Sequence, residues 1–255
     1  MALFKSGNPT MSEKIFDKSV QGYDVTEGTM TVNGSVGKFA LLLLMVMAGA
    51  FYTWNLSAKG EFALMQTLMV VGMIGGFISV LIISFNPKAA RFLSPIYGLL
   101  EGFFLGGISV LFNNYFAKSY PGIVTQAVGL TFAVAIGMLA LYAFRIIKVT
   151  DKLRSIIFSA TLGVALFYLV TWILGLFHVN LPFMYDSSML GIGISVFIVA
   201  IAALNLLMDF DMIERGAQMG APKYMEWYGA FGLLVTMVWL YMEILRLLSR
   251  VGGRK

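Results

Sequence analysis

The sequence predicts an all-α protein that crosses a membrane seven times. Of its 255 residues 59% are hydrophobic and only 12% are charged, whereas a soluble domain carries about 25% charged residues. Seven apolar stretches follow one another, each close to the ~20 residues that a membrane-spanning helix needs. The short segments between them hold Gly, Pro, Asn and Asp, which are typical of turns. We therefore expect a polytopic helical bundle.

The apolar stretches also divide the chain into segments. Residues 1–36 form a polar tail, and no cleavable signal peptide is expected. Gly22–Gly37, which reaches the start of the membrane domain, has the composition of a loop or a disordered segment. Residues 37–250 form the membrane domain, and residues 251–255 form a basic C-terminal tail. The predicted helices are Phe39–Leu56, Phe62–Phe85, Pro95–Phe116, Gly122–Phe144, Ser155–Phe177, Ser188–Phe210 and Trp227–Leu248.

The distribution of basic residues predicts a cytoplasmic N-terminus. Cytoplasmic loops of membrane proteins carry an excess of Lys and Arg. With the N-terminus inside, the outer loops hold only Lys59 and Lys118. The inner loops then hold Lys88, Arg91, Arg145, Lys148, Lys152, Arg154, Arg215 and Lys223. The basic C-terminal tail would lie outside and opposes this orientation, which we nevertheless prefer.

Small residues in two of the predicted helices indicate close helix packing. They are Ser94, Gly98, Gly102 and Gly106 in the third helix and Gly72, Gly75 and Gly76 in the second. Residues four apart share one face of a helix. A face of small residues lets the backbone of a neighbouring membrane helix approach closely.

The sequence lacks the residues that most enzyme and metal sites require. It has no cysteine and one histidine, His178, which excludes a disulfide framework, a thiolate zinc site and a multi-histidine site within one chain. Neither a Gly-x-Ser-x-Gly nor a His-Glu-x-x-His motif is present. The net charge of +5 comes from basic residues spread between apolar stretches, so nucleic-acid binding is not expected. We expect neither an enzyme nor a cofactor.

Carboxylates inside predicted membrane helices are the candidate functional residues, because an ionisable group in hydrocarbon is costly and seldom retained without a role. Glu101 lies about one-third of the way into the third helix, and either a functional role or a place in a packing network explains it. Glu226, at the start of the last helix, is explained by the helix dipole. Glu243 has Arg246 and Arg250 one and two turns further on, which predicts a salt-bridged helix exit.

Asp209 and Asp211 close the sixth predicted helix. Two residues on a helix are separated by about 200° of rotation, so we expect only one of them to face the bundle interior. Asn205 lies on the same face as Asp209, which favours Asp209 as the inward residue. Alternatively, both aspartates lie among lipid headgroups beside Arg215 and Lys223.

Three motifs give the chain a resemblance to a known family. They are Pro95-Ile-Tyr-Gly-Leu-Leu-Glu101-Gly-x-x-Leu-Gly-x-x-Ser109, Asp209-x-x-x-Ile213-x-x-Gly216, and the closing Leu-Tyr-x-Glu-Ile-Leu-Arg-Leu-Leu. Over residues 39–250 the chain resembles the Bax inhibitor-1 family, most closely its bacterial branch. The resemblance implies seven helices with the last near the centre of the bundle. It also implies a pH-sensitive leak of cations, chiefly calcium, closed by two aspartates that share protons, one in each of the last two helices.

The resemblance assigns the first of these aspartates to Asp209 and leaves two positions for the second. Matching the Leu-Tyr-x-acid motif selects Glu243, whereas matching the closing Leu-Arg-Leu-Leu without gaps selects Thr236. At ~1.5 Å per residue from Trp227, Thr236 lies about 14 Å along the last helix and Glu243 about 24 Å. Thr236 is therefore the expected neighbour of Asp209, in which case the second carboxylate is missing.

Together these observations predict a pH-sensitive calcium or cation leak channel in the bacterial inner membrane. Asp209 is the expected gate, and Glu101 is a pore or support carboxylate. Calcium would be the permeant ion, since carboxylate oxygens suit this hard cation. The alternative is a non-conducting membrane adaptor, or a modulator of a membrane protease or stress response, that binds another membrane protein. The glycine faces and the missing second aspartate favour that alternative, and a proton-coupled transporter is a weaker third hypothesis.

Overall fold

A computed structural model describes residues 28–177 and 188–253, which contain seven α-helices. The helices are α1 (Val32–Ala58), α2 (Phe62–Phe85), α3 (Ala90–Tyr115), α4 (Ile123–Ala143), α5 (Asp151–Leu176), α6 (Met189–Gln218) and α7 (Met225–Gly252). Each is long and apolar enough to span a membrane. The described residues contain one isolated antiparallel bridge, between Thr29 and Pro222, and they contain no β-strand. The predicted all-α class with seven membrane helices is confirmed.

Four helices, α1, α3, α5 and α7, begin earlier than predicted, and a threonine caps two of them. Thr31 precedes α1, and its hydroxyl accepts a hydrogen bond from the Gly34 N–H at 2.9 Å. Thr150 precedes α5 and accepts from the Leu153 N–H at 3.2 Å. Such a cap satisfies an otherwise unpaired N–H of the first turn. The prediction of a loop over Gly22–Gly37 was therefore wrong for residues 32–37, and its residues 22–27 lie outside the described part of the chain.

The sixth helix extends well beyond its predicted end at Phe210. It continues to Gln218, and Met212 and Ile213 in the added turns are buried. Arg215 pairs with Asp211 one turn earlier at 2.9 Å, a spacing that supports a helix. His178 lies outside the described residues.

The last helix is the most enclosed of the seven described helices. In its most apolar stretch 67% of the residues are buried, against 50% in α3 and α6 and between 11% and 22% in the other four. Side chains on lightly buried helices face lipid, while a mostly buried helix contacts protein on most sides. The central position of the last helix, which the resemblance implied, stays a prediction.

The chain forms two compact units, and the first comprises residues 28–114 and 209–235 of the described chain. Its helices α1 and α3 touch at glycines, as predicted. A Cβ atom added to Gly102 would lie 3.0 Å from the Gly49 Cα atom, and one added to Gly98 would lie 3.2 Å from the Leu42 carbonyl oxygen. On α2, a Cβ atom at Gly75 would lie 2.9 Å from Leu100. The predicted close approach is confirmed.

The second unit comprises residues 115–177, 188–208 and 236–253 of the described chain. Val164 of α5 packs with Ile198 and Ile201 of α6. Beside this apolar cluster the side-chain amide of Asn205 donates to the Thr161 hydroxyl at 2.8 Å. Polar side chains cannot form hydrogen bonds to water or to lipid chains within the hydrocarbon region. They therefore bond to each other across neighbouring helices.

Candidate functional site

Glu101 lies in the interface between α2 and α3. Its side chain is buried, with 8% of the residue exposed. The Tyr97 side chain, one turn earlier, lies beside the carboxylate, and the Tyr97 ring packs edge-on against Phe231 at 5.0 Å between ring centres. A Cβ atom at Gly76 of α2 would lie 2.9 Å from the Glu101 Oε2 atom. The glycine therefore provides the space that the carboxylate occupies, which explains one member of the α2 glycine group.

Asp209 and Asp211 are both buried, at 0% and 9% exposure. The expectation that only one of them faces the interior was wrong. Opposite sides of a helix differ in burial only when the helix packs on one side. Around these aspartates α6 is buried on several sides, and Leu206 and Leu207 are both fully buried. The Asp211 carboxylate accepts from the Arg215 Nε atom at 2.9 Å. The predicted proximity of Asp211 to Arg215 is therefore found, although the aspartate is not exposed.

The two candidates for the second latch residue, Thr236 and Glu243, lie on α7 in the second unit and are also buried, at 3% and 2% exposure. The Arg246 guanidinium pairs with Glu243 at 2.9 Å, so the predicted salt bridge is confirmed. The Tyr168 hydroxyl of α5 donates to the same carboxylate at 2.8 Å, and the Arg246 guanidinium lies over the Tyr168 ring at 5.1 Å. Glu243 thus belongs to a three-residue polar cluster rather than to a solvated helix exit.

Tyr168 was not among the predicted functional residues. The sequence nevertheless indicated a polar contact at this position, because a tyrosine in the middle of an apolar helix usually directs its hydroxyl to a polar partner. The identity of that partner could not be read from the sequence.

Glu226 is a second residue whose importance was missed. It lies in the first turn of α7, as the helix-dipole explanation requires, yet only 1% of it is exposed. Its Oε1 atom accepts from the Thr31 N–H at 2.9 Å and from the Thr31 hydroxyl at 3.0 Å. Its Oε2 atom forms an ion pair with Lys38, whose ammonium also lies over the Trp227 ring at 5.4 Å. Opposite charges at the starts of the first and last predicted helices, on the same predicted side, were the overlooked signal.

The carboxylates are distributed over separate environments. Within residues 28–177 and 188–253, no group of three or more His, Cys, Asp or Glu side chains could hold a metal ion. Glu101, Glu226, Asp211 and Glu243 each have a different set of protein partners. Each of these four buried acids therefore has its own local environment, in which a carboxylate can exchange a proton or balance the charge of a cation.

Three of these environments coincide with the three sequence motifs, on α3, α6 and α7, and these are the three most enclosed helices. The family model described as Bax inhibitor 1 like matches residues 8–253. The chain belongs to this family. No curated protein matches the chain, and no solved structure does. In this Bax inhibitor 1-like protein, Glu101, Asp209 and Glu243 all lie within the matched residues and are all buried.

Proposed function

We propose that this Bax inhibitor 1-like protein is a pH-sensitive leak channel for calcium or other cations, with Asp209 as its gate. One observation carries the proposal. Asp209 is completely buried on α6, a helix that is long and apolar enough to span a membrane. An ionisable residue in that position is costly, and such residues mark ion or proton pathways.

Protonation is the step through which pH would act. An ionised Asp209 attracts a cation, and a protonated Asp209 does not, so the charge along the pathway follows the proton concentration. Glu101 is the supporting carboxylate, and it lies beside Tyr97 on α3. Calcium prefers oxygen ligands and tolerates irregular geometry, which suits passage along single carboxylates. The proposal involves no catalysed reaction and no resident cofactor.

The proposed location is the bacterial inner membrane with a cytoplasmic N-terminus. The resemblance of the motifs to the bacterial branch of the family supports a location in the bacterial inner membrane. The excess of basic residues in the loops on the N-terminal side supports the orientation.

The second candidate function is a non-conducting adaptor, or a modulator of a membrane protease or stress response. The glycines of α2 and α3 no longer favour it, since Gly72, Gly76 and Gly102 are used in packing within the chain. Gly129 and Gly137 of α4 do favour it, because a Cβ atom at either would meet nothing within 4 Å. Another membrane helix could approach closely at such positions.

Calcium flux into dye-loaded proteoliposomes, between about pH 6 and pH 8, separates the two functions. We expect the parent protein to leak calcium in a pH-dependent manner and Asp209→Asn to lose the pH dependence. Asp151→Asn is the control, since 84% of the Asp151 side chain is exposed. A folded parent protein that conducts no more than empty liposomes would contradict the channel. The adaptor would then be tested by isolating bound membrane proteins.

A further inference from the structure

Residues 28–31, just before α1, pair with the loop between α6 and α7. The Met30 N–H donates to the Ala221 carbonyl at 2.7 Å, and the Lys223 N–H donates to the Gly28 carbonyl at 3.2 Å. These two bonds flank the bridge between Thr29 and Pro222. The segment is therefore tied to the loop by backbone hydrogen bonds, the interaction that joins neighbouring strands.

The residue types fit this pairing. Thr29 and Pro222 form the pair of the bridge whose own N–H groups make no hydrogen bond across it. Pro222, which lacks an N–H, therefore removes no hydrogen bond. Met30 is buried, with 2% of the residue exposed, and so is Ala221, at 0%. Burial of the methionine adds a hydrophobic contribution to the backbone bonds.

Glu226 extends the connection from the loop into α7. Its carboxylate accepts from both the N–H and the hydroxyl of Thr31 and pairs with Lys38 on α1. A Cβ atom on Gly34 would overlap this carboxylate. The glycine is therefore what allows α1 to pass so close to Glu226.

We infer that Glu226 is a positioning residue that, with residues 28–31, forms a clasp holding the α6–α7 loop and the first turn of α7. Loss of the Glu226 contacts leaves a buried carboxylate without its donors, which is a strongly unfavourable state. The clasp then opens, and the first turn of the most enclosed helix loosens. This inference goes beyond ion conduction and holds whether or not the protein conducts.

Two alanine substitutions on α1 test the clasp. Gly34→Ala displaces the Glu226 carboxylate, whereas Gly37→Ala is the matched control, because a Cβ atom there meets nothing within 4 Å. Hydrogen exchange is measured on both variants in lipid nanodiscs. The reporters are the amides of Met30, Lys223 and Trp227, which donate to Ala221, Gly28 and Tyr224.

We expect Gly34→Ala to accelerate exchange at all three reporters about tenfold, the size expected for losing a hydrogen bond to a charged group. Gly37→Ala should leave all three unchanged. Glu226→Gln, which keeps the side-chain shape, is the second variant if Gly34→Ala fails to fold. If the Trp227 amide exchanges at the parental rate in a folded variant while Met30 and Lys223 exchange faster, the clasp does not position α7 and the inference is overturned.

A disulfide lock supplies the converse test. The native chain contains no cysteine, so Thr29→Cys with Pro222→Cys creates a single pair. Residues opposite each other in such a bridge have Cα atoms about 4.5 Å apart, within the range that a disulfide spans. In the Gly34→Ala background, oxidation should return Trp227 exchange to the parental rate, and reduction should reverse this. Failure of the pair to oxidise, or oxidation without effect on Trp227, would contradict the clasp.

Discussion

Lys38 forms an ion pair with Glu226 across 188 positions of the chain, and this pair joins the beginning of the first membrane helix to the beginning of the last. The side chains are 20% and 2% exposed, respectively. A carboxylate this deeply buried depends on its partner for its charge to be tolerated. The first and last helices are therefore coupled by electrostatics as well as by packing.

Removal of the lysine should destabilise the protein more than removal of the whole pair. We expect Lys38→Met to lower the free energy of unfolding by about 1–3 kcal/mol, because it leaves Glu226 buried without its cation. The double variant Lys38→Met with Glu226→Gln should recover part of this loss. Both are measured by thermal unfolding in detergent. Lys59→Met, at an exposed position, is the control, and equal losses for Lys38→Met and Lys59→Met would contradict a structural ion pair.

The glycine contact between α1 and α3 predicts sensitivity to a single methyl group. A Cβ atom at Gly102 would overlap the Val46 carbonyl oxygen of α1 and lie 3.0 Å from the Gly49 Cα atom, so the two helices would have to move apart. We expect Gly102→Ala to destabilise the protein by about 1–3 kcal/mol, measured by unfolding in mixed micelles. Gly137→Ala meets open space and should be neutral or stabilising by up to about 1 kcal/mol. Equal stability of the two variants would rule out close packing at Gly102.

The proximity of the Tyr97 hydroxyl to Glu101 predicts a loss of stability when that hydroxyl is removed. Tyr97→Phe takes a polar group away from beside a buried carboxylate, so we expect a loss of about 1–3 kcal/mol in the free energy of unfolding. Tyr115→Phe is the control because 81% of Tyr115 is exposed. Under the proposed function, Tyr97→Phe should also change calcium flux. A variant with parental stability and parental flux would show that Tyr97 does not hold Glu101.

The cluster around Glu243 predicts that Glu243 contributes to stability, whereas Asp209 determines the pH dependence of flux. The Glu243 carboxylate is already held by Arg246 and Tyr168, so we expect Glu243→Gln to lower stability by about 1–3 kcal/mol. We expect it to keep the pH dependence of calcium flux that Asp209→Asn loses. Proteoliposome flux and thermal unfolding are measured on the same preparations. Loss of pH dependence in Glu243→Gln, with an unchanged melting temperature, would instead assign the gate to Glu243.

The sequence predicted most of the fold because the signals for it are local. Apolar length alone identifies a membrane helix, and small residues every four positions identify a packing face such as the one around Gly102. Helix starts were less predictable. Nothing in the sequence marks Thr31 and Thr150 as helix caps, and only the structure shows that their hydroxyls cap a first turn. The capped turns extend α1 and α5 beyond their apolar stretches.

What the sequence by itself determined was the number of spans, the glycine contacts and the set of carboxylates worth attention. Only the tertiary structure decided the partners of those carboxylates. Helical periodicity gives the angle between Asp209 and Asp211, but burial depends on how many neighbours surround α6, and both residues are enclosed. Glu226 meets Lys38, and Glu243 meets Tyr168, at separations of 188 and 75 positions. No local pattern specifies such pairs, because the packing of whole helices brings them together.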